Sequence, residues 1–348
     1  MGLTEGCSQR LKPIFEKPQH PIAWPAPPAA ERIRYVGQLR SSTDLKPRAK
    51  PFQVIGDFLL GAKEPERIYG PHSIVTSSDG TVLWVADPGG RCLHMFDMQS
   101  RSYKRIEYVG DSHLLNPIGL CRGPGESIFV CDAEDIAIHR FSQHTGKLLE
   151  SMRLTDDILR PVALSYDDAR KELFVLDILA HDIKVLGLDG FLHRVIGRRG
   201  RGPGEFNYPC DIVDDGDVIW VADTGNHRVQ GLTRQGEPLL AFGQAGNAPG
   251  DMALPKGIAV DSEGHVYVVD ARFENVQIFD RSGHLLLFFG EEGTGPGQFW
   301  LPSGIHIDRS DRIWICDSYN ARVQVFDYRK RSVGLESQSA EHGKVTDP

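Results

Sequence analysis

The stretch "HVYVVD" at residues 265–270 decides how this chain folds, because the chain writes the same shape six times. Its siblings are "VLWVAD" (82–87), "SIFVCD" (127–132), "ELFVLD" (172–177), "VIWVAD" (218–223) and "RIWICD" (312–317). Their terminal residues, Asp87, Asp132, Asp177, Asp223, Asp270 and Asp317, stand 45, 45, 46, 47 and 47 residues apart. A run of β-branched and aromatic residues ending in aspartate reads as a strand entering a turn. Upstream of each run stands a proline: Pro71, Pro117, Pro161, Pro209, Pro255 and Pro302. Downstream come third segments such as "ENVQIFD" (274–280) and "ARVQVFD" (321–327), then fourth segments such as "EPLLAFG" (237–243) and "HLLLFFG" (284–290). Four short strands in a repeat of this length are the mark of a propeller blade, whereas helical solenoids alternate helices. The fold class expected is all-β: a six-bladed β-propeller of four-stranded antiparallel blades.

Working outward, the loop "GRRGRGPGEFNYP" (197–209) looks like a cradle for an anion, with backbone N–H groups and Arg198, Arg199 and Arg201 together. Siblings at "GNAPGDMALP" (246–255) and "GTGPGQFWLP" (293–302) argue instead for a connection between blades. No GK[ST] follows to make a nucleotide loop. The three arginines are peculiar to this copy and are read either as an anion patch or as a solvated loop. Six copies of one aspartate at one blade position are read as turn chemistry rather than catalysis. Adjacent carboxylates such as Asp156–Asp157, Asp167–Asp168 and Asp214–Asp215 fall in turns and are expected to be solvated.

A propeller leaves an open edge unless its last blade is completed from the other terminus. Blade six shows three strands, and "RIRYVGQL" (32–39) resembles the outer-strand segment "LLAFGQ" (239–244). It is expected to supply the missing fourth strand. Residues 1–31 read as a Pro-rich tether, 32–330 as the propeller, "PFQVIGDFLLGA" (51–62) as a short helix beside the channel mouth, and 331–348 as a disordered tail.

The 348 residues carry a formal net charge of −8, which argues against general nucleic-acid binding. No apolar run is long enough to cross a bilayer. Gly and Pro together make about a sixth of the chain, as many short turns require. The six cysteines show no metal-finger or CxxC spacing and read as small core residues.

The pattern in "LPKGIAVDSEGHVYVVDARFENVQIFDRSG" (254–283) and "VIWVADTGNHRVQGLTRQG" (218–236) resembles the NHL repeat, over about residues 71 to 327. That resemblance implies the propeller architecture and leaves the activity open, since the family spans lyases, RNA-binding modules, sensor domains and bacterial envelope proteins. In the peptide-amidating lyases, which are similar in fold, three histidines at positions following the blade prolines hold zinc. Here those positions are His72, Ile118, Val162, Cys210, Lys256 and Ser303, so His72 alone stands as a candidate metal ligand. Three protein ligands are the norm for catalytic zinc. The leading expectation is therefore a non-catalytic propeller without cofactor, binding a protein or peptide as an envelope scaffold. The alternative is a metal-dependent lyase or hydrolase with zinc or calcium at the channel mouth, near His72, Cys210, Lys256 and Ser303.

The expected binding surface comprises Arg91, His181, Asp182, His227, Arg228, Glu274, Asn275, Tyr319, Asn320 and Arg322 in turns after the second strands. Tyr208 and Trp300, from the preceding loops, complete it. Arg and aromatic residues are common interface anchors. Asn275, Asn320 and Arg228 also match family turn positions that brace neighbouring loops. The start "MGLTEGCSQR" has no apolar signal segment, yet Gly6–Cys7 followed by polar residues resembles the end of a lipoprotein signal, with a lipid anchor at Cys7. Envelope location is expected on that ground, with the cytoplasm as the alternative.

Overall fold

Pleated runs of about five residues pair into six antiparallel sheets, each holding four ring strands. The computed structural model describes residues 12–16, 18, 20–46, 64–155 and 157–330. The expected helix at 51–62, the tail at 331–348 and Cys7 lie outside the described residues. Blade one is Ser73–Thr76, Val82–Asp87, Cys92–Asp97 and Ser102–Ile106. Blade four is Asp211–Asp214, Ile219–Asp223, Arg228–Leu232 and Pro238–Phe242, and blades two, three and five repeat the plan. Inner strands of successive blades lie side by side, and that of blade six meets that of blade one, which closes the wheel.

Blade six takes Ile305–Ile307, Arg312–Asp317 and Arg322–Tyr328 from the end of the chain and Ile33–Leu39 from its beginning. The closing strand runs antiparallel to Arg322–Tyr328, from Ile33 opposite Tyr328 to Leu39 opposite Val323. A fifth, two-residue strand, Ala23–Trp24, pairs outside it. Trp24 places its ring 5.6 Å from that of Phe289 and 6.0 Å from that of Phe326. Phe15 lies against Trp314 at 6.3 Å and directly over Gly37, where a Cβ would stand 2.6 Å from the Phe15 ring. Only glycine leaves room for that ring. Chain beyond the closing strand leaves and returns together, since Ser42 N–H donates to Glu66 O and Ile68 N–H to Arg40 O.

The apolar core sits between blades rather than within them. Blade one's Val82, Trp84 and Leu93 pack with blade two's Leu120, Val130 and Phe141 in one cluster. Five further clusters occupy the remaining five blade boundaries. Each face of a sheet is thus covered by its neighbour, as period-2 strands with two apolar faces require. Trp84, Trp220 and Trp314 occupy equivalent buried positions, and each indole N–H finds an acceptor. These are Gln143 O, Asp215 Oδ2 and Asp308 Oδ2, at 2.8, 2.8 and 3.0 Å.

That use of Asp215 corrects one expectation. The carboxylates Asp167, Asp214 and Asp215 are buried rather than solvated, because arginines pair with them, within blade four for Asp214 and across a blade boundary for Asp167 and Asp215. Arg234 joins Asp167 and Asp214, at 3.1 Å to each, and Arg281 meets Asp215 at 3.0 Å.

Candidate functional site

The blade aspartates organise one face of the wheel, the face on which inner strands begin and second strands end. Asp87 accepts hydrogen bonds from Gly90 N–H in the following turn, and from Tyr69 and Gly70 N–H ahead of the inner strand. Asp132 takes Glu134 and Asp135 N–H from its turn and Leu115 and Asn116 N–H from the preceding loop. Asp177 and Asp270 repeat the pattern. The turn-capping role read from the sequence is present, and each carboxylate also clamps the loop before its own inner strand.

That clamp fixes one backbone position per blade through its N–H, and only in blade four does the side chain add a hydrogen bond among the described residues, from Asn207 Nδ2 to Gly225 O. The six residues are Tyr69, Leu115, Leu159, Asn207, Ala253 and Trp300. Four are large and apolar, and they belong to the consecutive blades six, one, two and three. With Leu179, Tyr208 and Tyr319 on the same face, they stand between 37% and 65% exposed. The rings of Trp300 and Tyr319 lie 5.7 Å apart, and Tyr208 stacks edge-on against His181 at 4.5 Å. The result is an apolar arc around the channel mouth. Tyr69, Leu115, Leu159 and Leu179 were not among the expected surface residues; the offset of two residues before each blade proline is the signal that identifies the first three.

The expected surface residues divide. Arg91, Tyr208, Trp300 and Tyr319 are exposed, and His227, Arg228, Asn275 and Asn320 are half-buried. Arg322, His181, Asp182 and Glu274 are buried, which corrects their placement on the surface. The reason is bracing. Arg322 donates from Nε to Asp317, and its guanidinium NH2 groups reach Gln38 Oε1 on the closing strand and the carbonyls of Thr294, Gly295 and Gln298. Arg228 does the same in blade four, donating to Asp223 and to the carbonyls of Gly202 and Glu205. Asn320 donates to Gly293 O. His227 Nδ1 meets Ala253 O at 2.9 Å. His181 accepts Tyr208 N–H at Nδ1, and burial lowers its pKa. Asp182 pairs with Lys184 at 2.5 Å, while burial holds its pKa above the usual range. Burial likewise raises Glu274.

The same positions explain a metal-like cluster. Asp87, Cys92 and His94 are the three metal-type ligands that lie within reach of one another among the described residues. They stand where blade four has Asp223, Arg228 and Gln230, and where blade six has Asp317, Arg322 and Gln324. His94 Nε2 meets Asp87 Oδ2 at 2.9 Å, as Gln230 meets Asp223 at 3.2 Å, and His94 Nδ1 meets Tyr103 OH at 2.7 Å. Burial pushes the Cys92 thiol up to about 12, so it stays protonated. This trio is the blade-one form of the brace.

At the channel mouth the named residues play different parts. Ser303 is buried and hydrogen-bonds the carbonyls of Pro71 and His72, tying blade six to blade one. Burial, and then the nearby Lys256 charge, lower the His72 pKa to about 4, leaving a neutral ring with Nδ1 buried and unpartnered among the described residues. Burial raises the Cys210 thiol, against the pull of Lys256. Further in, Asp211 accepts N–H bonds from Ile258 on the next blade and from Ile212. Burial pushes it up to about 7. An acid whose folded pKa lies above its unfolded value stabilises the fold below the unfolded pKa, near 3.8, and loses that contribution as pH rises through about 7. Asp211→Asn retains an acceptor for Ile258 without the titration. The variant is expected to melt higher than the parent at pH 8 and equal to it at pH 4, by calorimetry. Parallel melting curves across that range would contradict the buried charge.

The Arg-rich loop answers its own question. Arg198 pairs with Glu205 at 2.8 Å, and Glu205 Oε2 accepts the N–H groups of Arg201 and Gly202. The cradle is therefore occupied by a carboxylate of the same loop. In the sibling loops Asp251 accepts Ala248 N–H and Gln298 accepts Gly295 N–H. Sequence reading missed these three acceptors, although each directly follows the loop's Pro-Gly pair.

Six blades with a clamped, loop-bearing face define the class: this is a six-bladed β-propeller. The particular repeat follows from comparison, since the family model "NHL repeat" matches residues 206–232 and 299–326. The chain carries NHL repeats. It is 22% identical over 244 residues to NHL repeat-containing protein 2 of Bos taurus, covering 52% of this chain. It spans about a third of that relative's length (34%). Among solved structures, a streptogramin B lyase is similar with a TM-score of 0.55 at 15% identity, covering 75% of this chain and 94% of that one. An auxiliary nutrient binding protein from Bacteroides thetaiotaomicron is similar with a TM-score of 0.58 at 12% identity, covering 76% and 70%. Both likenesses concern the fold.

Proposed function

We propose that this propeller is a non-catalytic binding module that takes a protein or peptide partner on the face bearing the apolar arc. The observation that carries the reading is the arc itself: seven large apolar side chains exposed on one face, five of them (Tyr69, Leu115, Leu159, Leu179 and Trp300) at positions whose backbone N–H a blade aspartate holds. Contiguous exposed apolar surface on a soluble domain marks interaction sites. Rigid aromatic anchors such as Trp300 and Tyr319 cost little conformational entropy on binding. The similarity in fold to an auxiliary nutrient binding protein supports a binding role.

Panning a phage-displayed random peptide library on the purified protein tests this. Enriched peptides should carry apolar side chains, and their affinity should fall roughly tenfold or more for Trp300→Ala and Tyr319→Ala, as loss of hot-spot aromatics does. Peptides that bind both variants unchanged would move the contact away from the arc. A second reading is supported by the unpartnered Nδ1 of His72: a metal-dependent lyase or hydrolase at the channel mouth. Stoichiometric zinc or calcium in the purified protein, lost in His72→Ala, would establish it over the first.

A further inference from the structure

On the opposite face, at the outer rim where blades six and one meet, residues 13–15 cross over the sheet and roof a cleft of about 510 Å³. This volume lies within the range that holds small ligands. The cleft is lined by two kinds of residue. Ile14, Phe15, Val36 and Met98 form an apolar wall continuous with the core between these blades. The polar lining comes from four arginines, Arg34, Arg101, Arg312 and Arg329, with Asp327 among them.

The carboxylates present do not balance that charge. Asp327 meets Arg312 at 3.0 Å and Arg329 at 3.8 Å. Glu31 serves Arg34 and, at 3.9 Å, Arg329. Arg101 has no carboxylate partner among the described residues, and only its Nη1 is engaged, at 3.4 Å from the carbonyls of Leu45 and Lys46. A net positive cleft in a chain of net charge −8 is a local feature, and half-burial strengthens it by reducing screening.

We propose that this cleft binds an amphipathic monoanion, an alkyl or aromatic carboxylate whose apolar body lies on the Phe15–Met98 wall and whose head is taken by Arg101. The charge complementarity selects the head, because a planar guanidinium with free N–H donors matches a carboxylate. The apolar wall selects the body. This site stands apart from the arc and does not depend on the function proposed for that face.

Decanoate is the probe, titrated into the full chain by isothermal calorimetry with 1-decanol as the neutral control. One decanoate is expected per chain, with decanol weaker. Arg101→Glu should weaken decanoate at least roughly tenfold, the order expected for losing a charge-assisted hydrogen bond. Met98→Gln, which makes the wall polar without adding charge, should weaken decanol and decanoate alike, and both variants should melt as cooperatively as the parent. Absence of saturable decanoate binding, equal affinity in Arg101→Glu, or decanol binding as tightly as decanoate would each overturn the assignment. So would binding lost in Trp300→Ala, which leaves the cleft intact and would place the amphiphile on the arc.

Discussion

A chain shortened to begin at Lys46 is expected not to fold cooperatively. It lacks the closing strand, and with it the partners of every residue from Val323 to Tyr328 along the outer edge of blade six. Ile33, Tyr35 and Leu39 are buried, and burying one such side chain contributes about 1.5–3 kcal/mol. Their combined loss approaches the 5–15 kcal/mol that separates a typical native domain from its unfolded state. The exposed edge would also template association with other chains. Circular dichroism and gel filtration check this: the expected outcome is a broad, non-cooperative melt and early-eluting material. A monomer with a sharp transition would show that the wheel holds without its stitch.

The second large effect is expected at Arg322. Its side chain is 1% exposed, its partner Asp317 is fully buried, and its remaining donors satisfy three carbonyls of the loop from blade five and the Gln38 amide of the closing strand. Removing one member of a buried, hydrogen-bonded ion pair costs about 3–5 kcal/mol, because the other charge is left without compensation. Arg322→Ala should lower the urea midpoint accordingly. Arg228→Ala, in the equivalent but more open brace of blade four, should cost less. Equal and small losses at both sites would mean that the buried pair is no stronger than its desolvation.

Much of this fold is legible in the six aspartate-terminated runs, because a repeat that needs a neighbour on both faces can only stack or close. Closure by residues 32–39 is legible for the same reason: an unpaired edge demands a partner with the outer-strand pattern. The recognition face is less so. Arg322 and Asp182 share their turn position with the half-buried Arg228 and Asn275, and nothing local distinguishes a guanidinium that folds back onto carbonyls from one facing water. Phe15 and Trp24 are single aromatics among prolines, with no period to show that they pack against blade six. Tyr69, Leu115, Leu159 and Leu179 escaped, unlike Tyr208, Trp300 and Tyr319, because a position clamped through its N–H places no demand on its side chain.

That last feature has an evolutionary meaning. Since the aspartate grips only the main chain of the residue it seats, that residue can change from tyrosine to leucine to alanine without disturbing the scaffold. Five such sockets around one opening, with Asn207 alone tied by its side chain, give a dial whose settings can be changed one at a time. A new specificity can then arise by single substitutions, each made in one sector of the disc, at almost no risk to the architecture beneath.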